Sequence, residues 1–386
     1  MKQILLIFLF ISLCVAEDIL DIYKRDLPDE WPKPHKRMSN TIKYYADSES
    51  ITPVEYVLRD MNDTLCITFI RQNNKIIDSG INFYKSNSKS YKSNSKSDII
   101  LRDSKSKPTD IYLKESDLKY NKNSLLLLYI GLALGLIPEI ARYDRDNYVT
   151  VNSNNIDSKY ISYYKKTKSK TTYSTSFDYG SAMLLNSSFG SKNNKATYTY
   201  KLSPHYDSTI GNNILFSHND NKRINILYCS KKKCDKYRKC QHGSFPQKQC
   251  KRCICQQYFH GKLCEKLFSN DKKMCGNQQE LKSYSSSRKS LKKTNIRDIC
   301  LYKLKSTSNK KKVEVTVKSL VYDGNVPCDG RSGLFIYYRS DKSVSPLYLC
   351  KNSSNIVLPA SSTTVYIAIN SPFDVKSSFE ISYKSR

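Results

Sequence analysis

The chain has 386 residues, enough for two or three domains, with 13 cysteines and a formal charge of +29 at pH 7. No apolar run reaches the roughly 20 residues that a membrane-spanning helix needs, so composition argues against a membrane span. The charge predicts anionic partners, although Lys, Asn, Ser, Ile and Tyr are abundant along the whole chain and the excess also reads as compositional drift.

The N-terminus sets the compartment. Met1-Lys2-Gln3, the apolar run from Ile4 to Leu13 and the small residues Cys14-Val15-Ala16 read as a secretory signal peptide over 1–16, cut after Ala16. Twelve cysteines then remain, eleven of them after residue 228, the density of small oxidised modules. A secreted, extracellular protein is expected, with extracellular proteins or anionic, sulfated glycans as partners and no nucleic acid. Asn62, Asn186 and Asn352 stand in glycosylation sequons.

Residues 17–25 form a short pro-segment or linker ending in Lys24-Arg25, which is either a dibasic processing site or two solvated charges. Residues 42–45 predict a strand. Thr52-Pro53-Val54-Glu55 has the order of a capping box with proline at the first helical position, and Val54, Val57, Leu58 and Met61 follow at helical spacing. Residues 65–69 predict the next strand, giving an α+β domain. Residues 84–97 repeat YKSNSKS twice and predict a polar surface loop. Structure resumes at 110–113.

The stretch Leu125–Tyr148 reads as a buried helix, a turn and a charged loop. Ala133-Leu134-Gly135-Leu136-Ile137, then Glu139, Arg142 and Asp144-Arg145-Asp146-Asn147-Tyr148-Val149-Thr150, closely resemble the zinc-binding signature of the astacin family of metalloproteases. Such enzymes place two histidines one helical turn apart on a zinc ion, use the intervening glutamate as general base, and return a third histidine after a glycine turn. The register of the resemblance puts Leu128, Leu132 and Pro138 at the three zinc positions and Tyr129 at the glutamate. Leucine and proline side chains have no donor atom, and a tyrosine with a pKa near 10 is a poor base at neutral pH. Phe177-Asp178-Tyr179-Gly180-Ser181-Ala182-Met183 is similar to the family's Met-turn, but Leu184 and Leu185 follow where the family has histidine and a zinc-facing tyrosine. The histidines His35, His205, His218, His242 and His260 form no i, i+4 pair and read as surface residues. Cys250-x-x-Cys253-x-Cys255 reads as disulfide chemistry rather than zinc in a secreted chain. The resemblance implies that Glu139 anchors the mature N-terminus; the residues alone also allow an ion pair with Arg142 or Arg145.

The resemblance continues to a last helix near 224–229 and implies a Cys66–Cys229 bridge. Cys234, Cys240, Cys250, Cys253, Cys255 and Cys264, with Gly243 and Gly261, resemble an EGF-like module over 230–266, which implies pairs 234–250, 240–253 and 255–264. Residues 275–386 alternate at the strand period in 313–317, 334–338 and 364–369, with turn signals at Asp323-Gly324 and Asp329-Gly330. They resemble a CUB domain, implying pairs 275–300 and 328–350. The expected fold is multidomain: an α+β astacin-like metalloprotease domain over 26–229, a small disulfide-rich EGF-like module, and an all-β CUB-like sandwich.

The function that follows is a secreted metalloendopeptidase homologue, catalytically inactive and without zinc, acting by protein or glycan binding. The alternatives are an active zinc metalloendopeptidase with unrecognised ligands, and an electrostatic binder of sulfated glycans.

Overall fold

The computed structural model describes residues 39–48, 50–86, 97–101, 107–119, 123–167, 175–229, 239–248 and 250–386. The leader, Lys24-Arg25, His35, Cys234 and most of the tandem repeat lie outside the described residues.

The first module is built on a five-stranded sheet of order β2-β1-β3-β5-β4. Its strands are β1 (Thr41–Ala46), β2 (Thr68–Arg71), β3 (Ile81–Lys85), β4 (Asp98–Ile100) and β5 (Thr109–Leu113). β4 pairs antiparallel with β5 at one edge, and the other pairings are parallel. Helix α1 (Ile51–Thr64) supplies the crossover between parallel β1 and β2, burying Val54, Val57, Leu58 and Met61.

Three local expectations need correction. The capping box does not form: the helix starts at Ile51, with Ser50 at the N-cap and no side-chain cap bond. Ser50 spends its hydroxyl on Asp47 Oδ1 at 2.5 Å, and Glu55 instead accepts from Arg71 Nη1 and Tyr44 Oη, both at 3.4 Å. The strand expected at 65–69 begins at Thr68, because Leu65 and Cys66 are used to leave the helix. Tyr84 and Lys85 of the repeat close β3 instead of opening a loop, with Tyr84 stacked on Tyr112 at 5.1 Å.

Helix α2 (Ser124–Ala133) has the sequence SLLLLYIGLA, and Leu126 to Leu132 are all buried. A helix apolar on every side belongs in a core. It stops where Gly135 takes φ +86°, a conformation costly for any residue with a Cβ. Short turns at Glu139–Ala141 and Arg145–Asn147 lead to β6 (Val149–Val151), which pairs with β7 (Tyr198–Tyr200). Helix α3 (His218–Cys229) closes the module, and the Cys66–Cys229 disulfide joins its end to the start of the β2 segment.

Two short hairpins follow: β8 (Phe245–Pro246) with β9 (Cys253–Ile254), and β10 (Phe259–His260) with β11 (Lys266–Leu267). Bridges Cys240–Cys253 and Cys255–Cys264 hold them, and Cys250 is also disulfide-bonded. A unit this small lacks a large core and depends on such bridges.

The C-terminal part is a two-sheet sandwich. After the one-turn helix α4 (Lys272–Cys275), one sheet has the order β12-β14-β19-β16-β17 and the other β13-β20-β15-β18. Their strands are β12 (Glu280–Ser283), β13 (Lys289–Ile296), β14 (Ile299–Ser306), β15 (Val313–Tyr322), β16 (Gly333–Tyr337), β17 (Leu347–Leu349), β18 (Ser353–Leu358), β19 (Thr364–Asn370) and β20 (Ser377–Ser385). Inward residues from both sheets meet, as Tyr302 of β14 does with Phe379 of β20. Disulfides Cys275–Cys300 and Cys328–Cys350 brace the sandwich.

The sandwich grips the first module through the segment after β16. Arg339 lies over the Tyr148 ring at 4.8 Å and donates to the Phe177 carbonyl. Asp341 Oδ2 accepts from Ser176 N at 2.8 Å, and Ser345 N donates to Asp178 Oδ1 at 3.0 Å. Gly180 permits this contact, since a Cβ there would stand 2.2 Å from Ser345 Oγ. The hairpin module joins in: Gln256 Nε2 donates to the Lys342 carbonyl, and His242 bonds Tyr366 Oη. A desolvated cation–π contact and a charged hydrogen bond together reach about 2–4 kcal/mol. Arg339→Ala is therefore expected to speed amide exchange across 175–181 by at least about tenfold in a hydrogen-exchange measurement. Unchanged exchange there would show that the contact contributes little.

Candidate functional site

Helix α2 turns Leu128 and Leu132 to one face, a helical turn apart, and both are at most 2% exposed. Pro138 arrives from the following turn, fixed by Glu139 N donating to Met183 O at 2.9 Å. Met183 packs under the helix at Gly131, where a Cβ would stand 2.3 Å from its sulfur. Leu128, Pro138, Met183, Leu184 and Leu185 converge with Tyr163 around a void of only about 10 Å³, space for about one water at most. The void is walled by carbon and aromatic groups. Tyr129 is 1% exposed and hydrogen-bonds Tyr163, and burial drives its phenol further above the ordinary value of 10. It is the wrong chemistry for a proton acceptor.

The residues present do not fit a zinc ion. Three of the four positions offer no lone pair and the fourth offers a protonated phenol. Among the described residues, no group of three or more His, Cys, Asp and Glu is placed to hold a metal.

Beside this apolar plug lies a buried charge network. Glu139 is fully buried and pairs with Arg223 of α3, accepts from Asp178 N at 3.3 Å, and lies 3.6 Å from Arg142 Nε. Arg223 is 1% exposed and also donates to Thr175 Oγ1 at 2.7 Å and Ser176 O at 2.9 Å. Arg142 holds Asp144 at 2.8 Å, whereas Arg145 pairs with Asp146 and donates to the Ile140 and Tyr164 carbonyls. So Arg142 is one partner of Glu139, Arg145 is not, and the main partner, Arg223, was not signalled by sequence spacing. The residues that would test an N-terminal anchor lie outside the described part.

The expectation of surface histidines also needs correction, because His205, His218, His242 and His260 are all partly buried. His242 stacks on Phe259 at 4.3 Å, and His260 stacks on Phe268 at 4.6 Å. His218 reaches the Gly243 carbonyl at 3.3 Å, and burial pushes its pKa down to about 4, with Lys222 adding to the effect and Asp341 opposing it. In the unfolded chain it titrates near 6.5. The folded state therefore binds fewer protons between these values, and its stability falls as pH drops through that window. Asp220, pushed up to about 6 by burial, acts in the opposite sense. Comparing His218→Phe with wild type isolates the histidine. The stability difference should move toward the variant by about 2–3 kcal/mol between pH 7 and pH 4, read by urea unfolding.

Residues 25–229 match the family model described as Astacin, a peptidase family. The chain belongs to the astacin family. It is 37% identical over 144 residues to zinc metalloproteinase nas-34 of Caenorhabditis elegans, covering 36% of this chain and 24% of that protein. It is 35% identical over 158 residues to zinc metalloproteinase dpy-31 of Brugia malayi, covering 40% and 26%. The matched part thus spans about a quarter of these relatives' length. Among solved structures, high choriolytic enzyme 1, a hatching enzyme zinc-protease from the medaka Oryzias latipes, aligns with 53% of this chain and 96% of its own at 24% identity and a TM-score of 0.39.

This member combines an α+β astacin-like module, a small disulfide-rich module and an all-β sandwich of CUB-like type. Five disulfides join described cysteines, and Cys250 is bridged as well, as suits a secreted, extracellular protein. No helix among the described residues is long and apolar enough to cross a membrane.

Proposed function

We propose that the chain is a catalytically silent, secreted astacin homologue that works by binding extracellular proteins or glycans. One observation carries this reading: the space where the family holds its metal is filled by Leu128, Pro138, Leu184 and Leu185 around a void of about 10 Å³. A water activated for peptide hydrolysis needs a Lewis acid or a base beside it, and neither is supplied there. Incubating the purified protein with casein and gelatin, with and without added zinc, is the test. The expected result is no cleavage above the blank; zinc-dependent, chelator-sensitive cleavage would overturn the reading.

The proposal includes module boundaries at 26–229, 230–266 and 275–386, a leader over 1–16, a segment over 17–25, and a Cys234–Cys250 bridge. It also includes glycosylation at Asn62, Asn186 and Asn352. Support differs among the three sequons: Asn186 and Asn352 are exposed, whereas Asn62 is partly buried and accepts from Phe69 N at 2.9 Å. The charge of +29 supports a second reading, electrostatic binding of sulfated glycans. Retention on heparin that exceeds a basic control protein and collapses with salt supports it; equal retention removes it.

A further inference from the structure

A crevice of about 1280 Å³ opens where the three modules meet. It is separate from the plugged metal position and shares only Leu185 and Phe189 with that void. Its chemistry is unlike that of the rest of the chain. Lys and Arg make up 64 of 386 residues, about one in six, yet among the described residues none lines the crevice. Asp117 and Asp329 are its acids, and His218 is held neutral at pH 7 by burial.

The lining is rich in uncharged hydrogen-bonding groups. Asn186, Asn212, Asn213 and Gln257 supply amides, and Thr209 and Ser208 supply hydroxyls. Two of these groups are buried at the atom level without a partner among the described residues: Thr209 Oγ1 and Asn213 Nδ2. An unmade bond to a buried polar atom costs about 1–3 kcal/mol, so both atoms favour a ligand that completes them. Phe335 and Tyr348, stacked at 4.9 Å, add an aromatic wall. Uncharged donors and acceptors beside aromatic carbon suit a sugar's hydroxyls and its apolar ring faces. They do not suit a sulfated chain, which needs cations.

We propose that this crevice is a binding site for a neutral oligosaccharide. The inference rests on the binding function proposed above and names its ligand class. The sugar has two possible sources. One is a glycan carried by another molecule. The other is the chain's own glycan at Asn186, whose sequon residues Asn186 and Ser188 both line the crevice. Seated there, it would bridge the first module to the sandwich.

The test uses the full secreted chain. Mass spectrometry reads occupancy at Asn186, and release of its glycan by peptide N-glycosidase is timed in native and denatured protein. Binding of neutral oligomannose and chito-oligosaccharides, with a heparin hexasaccharide as control, is read by saturation-transfer NMR. Wild type, Asn186→Gln and the double variant Thr209→Val/Asn212→Trp are compared; Asn212 is exposed, so the larger side chain fills the crevice without entering the core.

If the source is internal, the Asn186 glycan is released at least about tenfold more slowly from native protein, and the double variant loses that protection. If it is external, wild type and Asn186→Gln bind the neutral sugars alike, and the double variant binds at least about tenfold more weakly. The proposal is overturned by neither protection nor neutral-sugar binding, by neutral-sugar binding that the double variant leaves intact, or by heparin binding that the double variant abolishes, which would place the sulfated chain in the crevice. Zinc-dependent peptidase activity would overturn the silent reading without altering any of these sugar readouts, so the two failures are distinguishable.

Discussion

Arg223→Met is expected to destabilise the first module by about 3–5 kcal/mol, the cost of leaving a buried carboxylate without its cation. Glu139 has no exposure, and Arg142 at 3.6 Å already serves Asp144 at 2.8 Å. Arg223 also holds the 175–176 segment against α3, with bonds of 2.7 and 2.9 Å, shorter than the 3.4 Å bond from Asn219 to the Ser176 carbonyl. A loss of that size takes a large part of the roughly 5–15 kcal/mol that stabilises a typical domain, so secreted yield should fall along with the unfolding midpoint. The double variant Arg223→Met/Glu139→Gln separates charge from packing. If the penalty is mainly the orphaned carboxylate, the double variant recovers part of the loss. Equal loss in both variants would assign the effect to the other contacts of Arg223 instead.

The second large effect concerns the plug. The triple variant Leu128→His/Leu132→His/Pro138→His exchanges carbon for imidazole at the three ligand positions of the family. Each leucine forfeits roughly 1.5–3 kcal/mol of apolar burial, and each unpartnered imidazole adds a desolvation cost of about 1–3 kcal/mol. Without metal, the variant is expected to lose more than about 5 kcal/mol and to fold poorly. With zinc it should regain stability in proportion to metal concentration, because a ligand that binds only the folded state shifts the equilibrium. Thermal unfolding over a zinc titration checks this. A variant as stable as wild type without metal, and indifferent to zinc, would show that these positions no longer converge.

Much of this site was legible in the sequence because its signals are local. Ala133 to Thr150 keeps the astacin signature around the glycine turn, and that resemblance assigned Leu128, Leu132 and Pro138 to the family's zinc positions from sequence alone. The apolar face of α1 followed from Val54, Val57, Leu58 and Met61 for the same reason. Local signals also misled. Thr52-Pro53-Val54-Glu55 has the order of a capping box, but tertiary partners took Glu55, which faces Tyr44 and Arg71, and the helix starts at Ile51. What could not be read is non-local. Arg223 meets Glu139 across 84 positions, and no spacing rule links them. The histidines were misjudged because their burial comes from module contacts, as with His242 against Tyr366, 124 positions away. The crevice was invisible for the same reason, since its walls come from all three modules.

Metal content tests the central claim most directly. The full chain, purified without chelator and dialysed against zinc-containing and then zinc-free buffer, is analysed for zinc by mass spectrometry. The account predicts far less than one zinc per chain, and an unfolding midpoint unmoved by chelator. One zinc per chain that survives dialysis, with a midpoint that falls when chelator removes it, would contradict it.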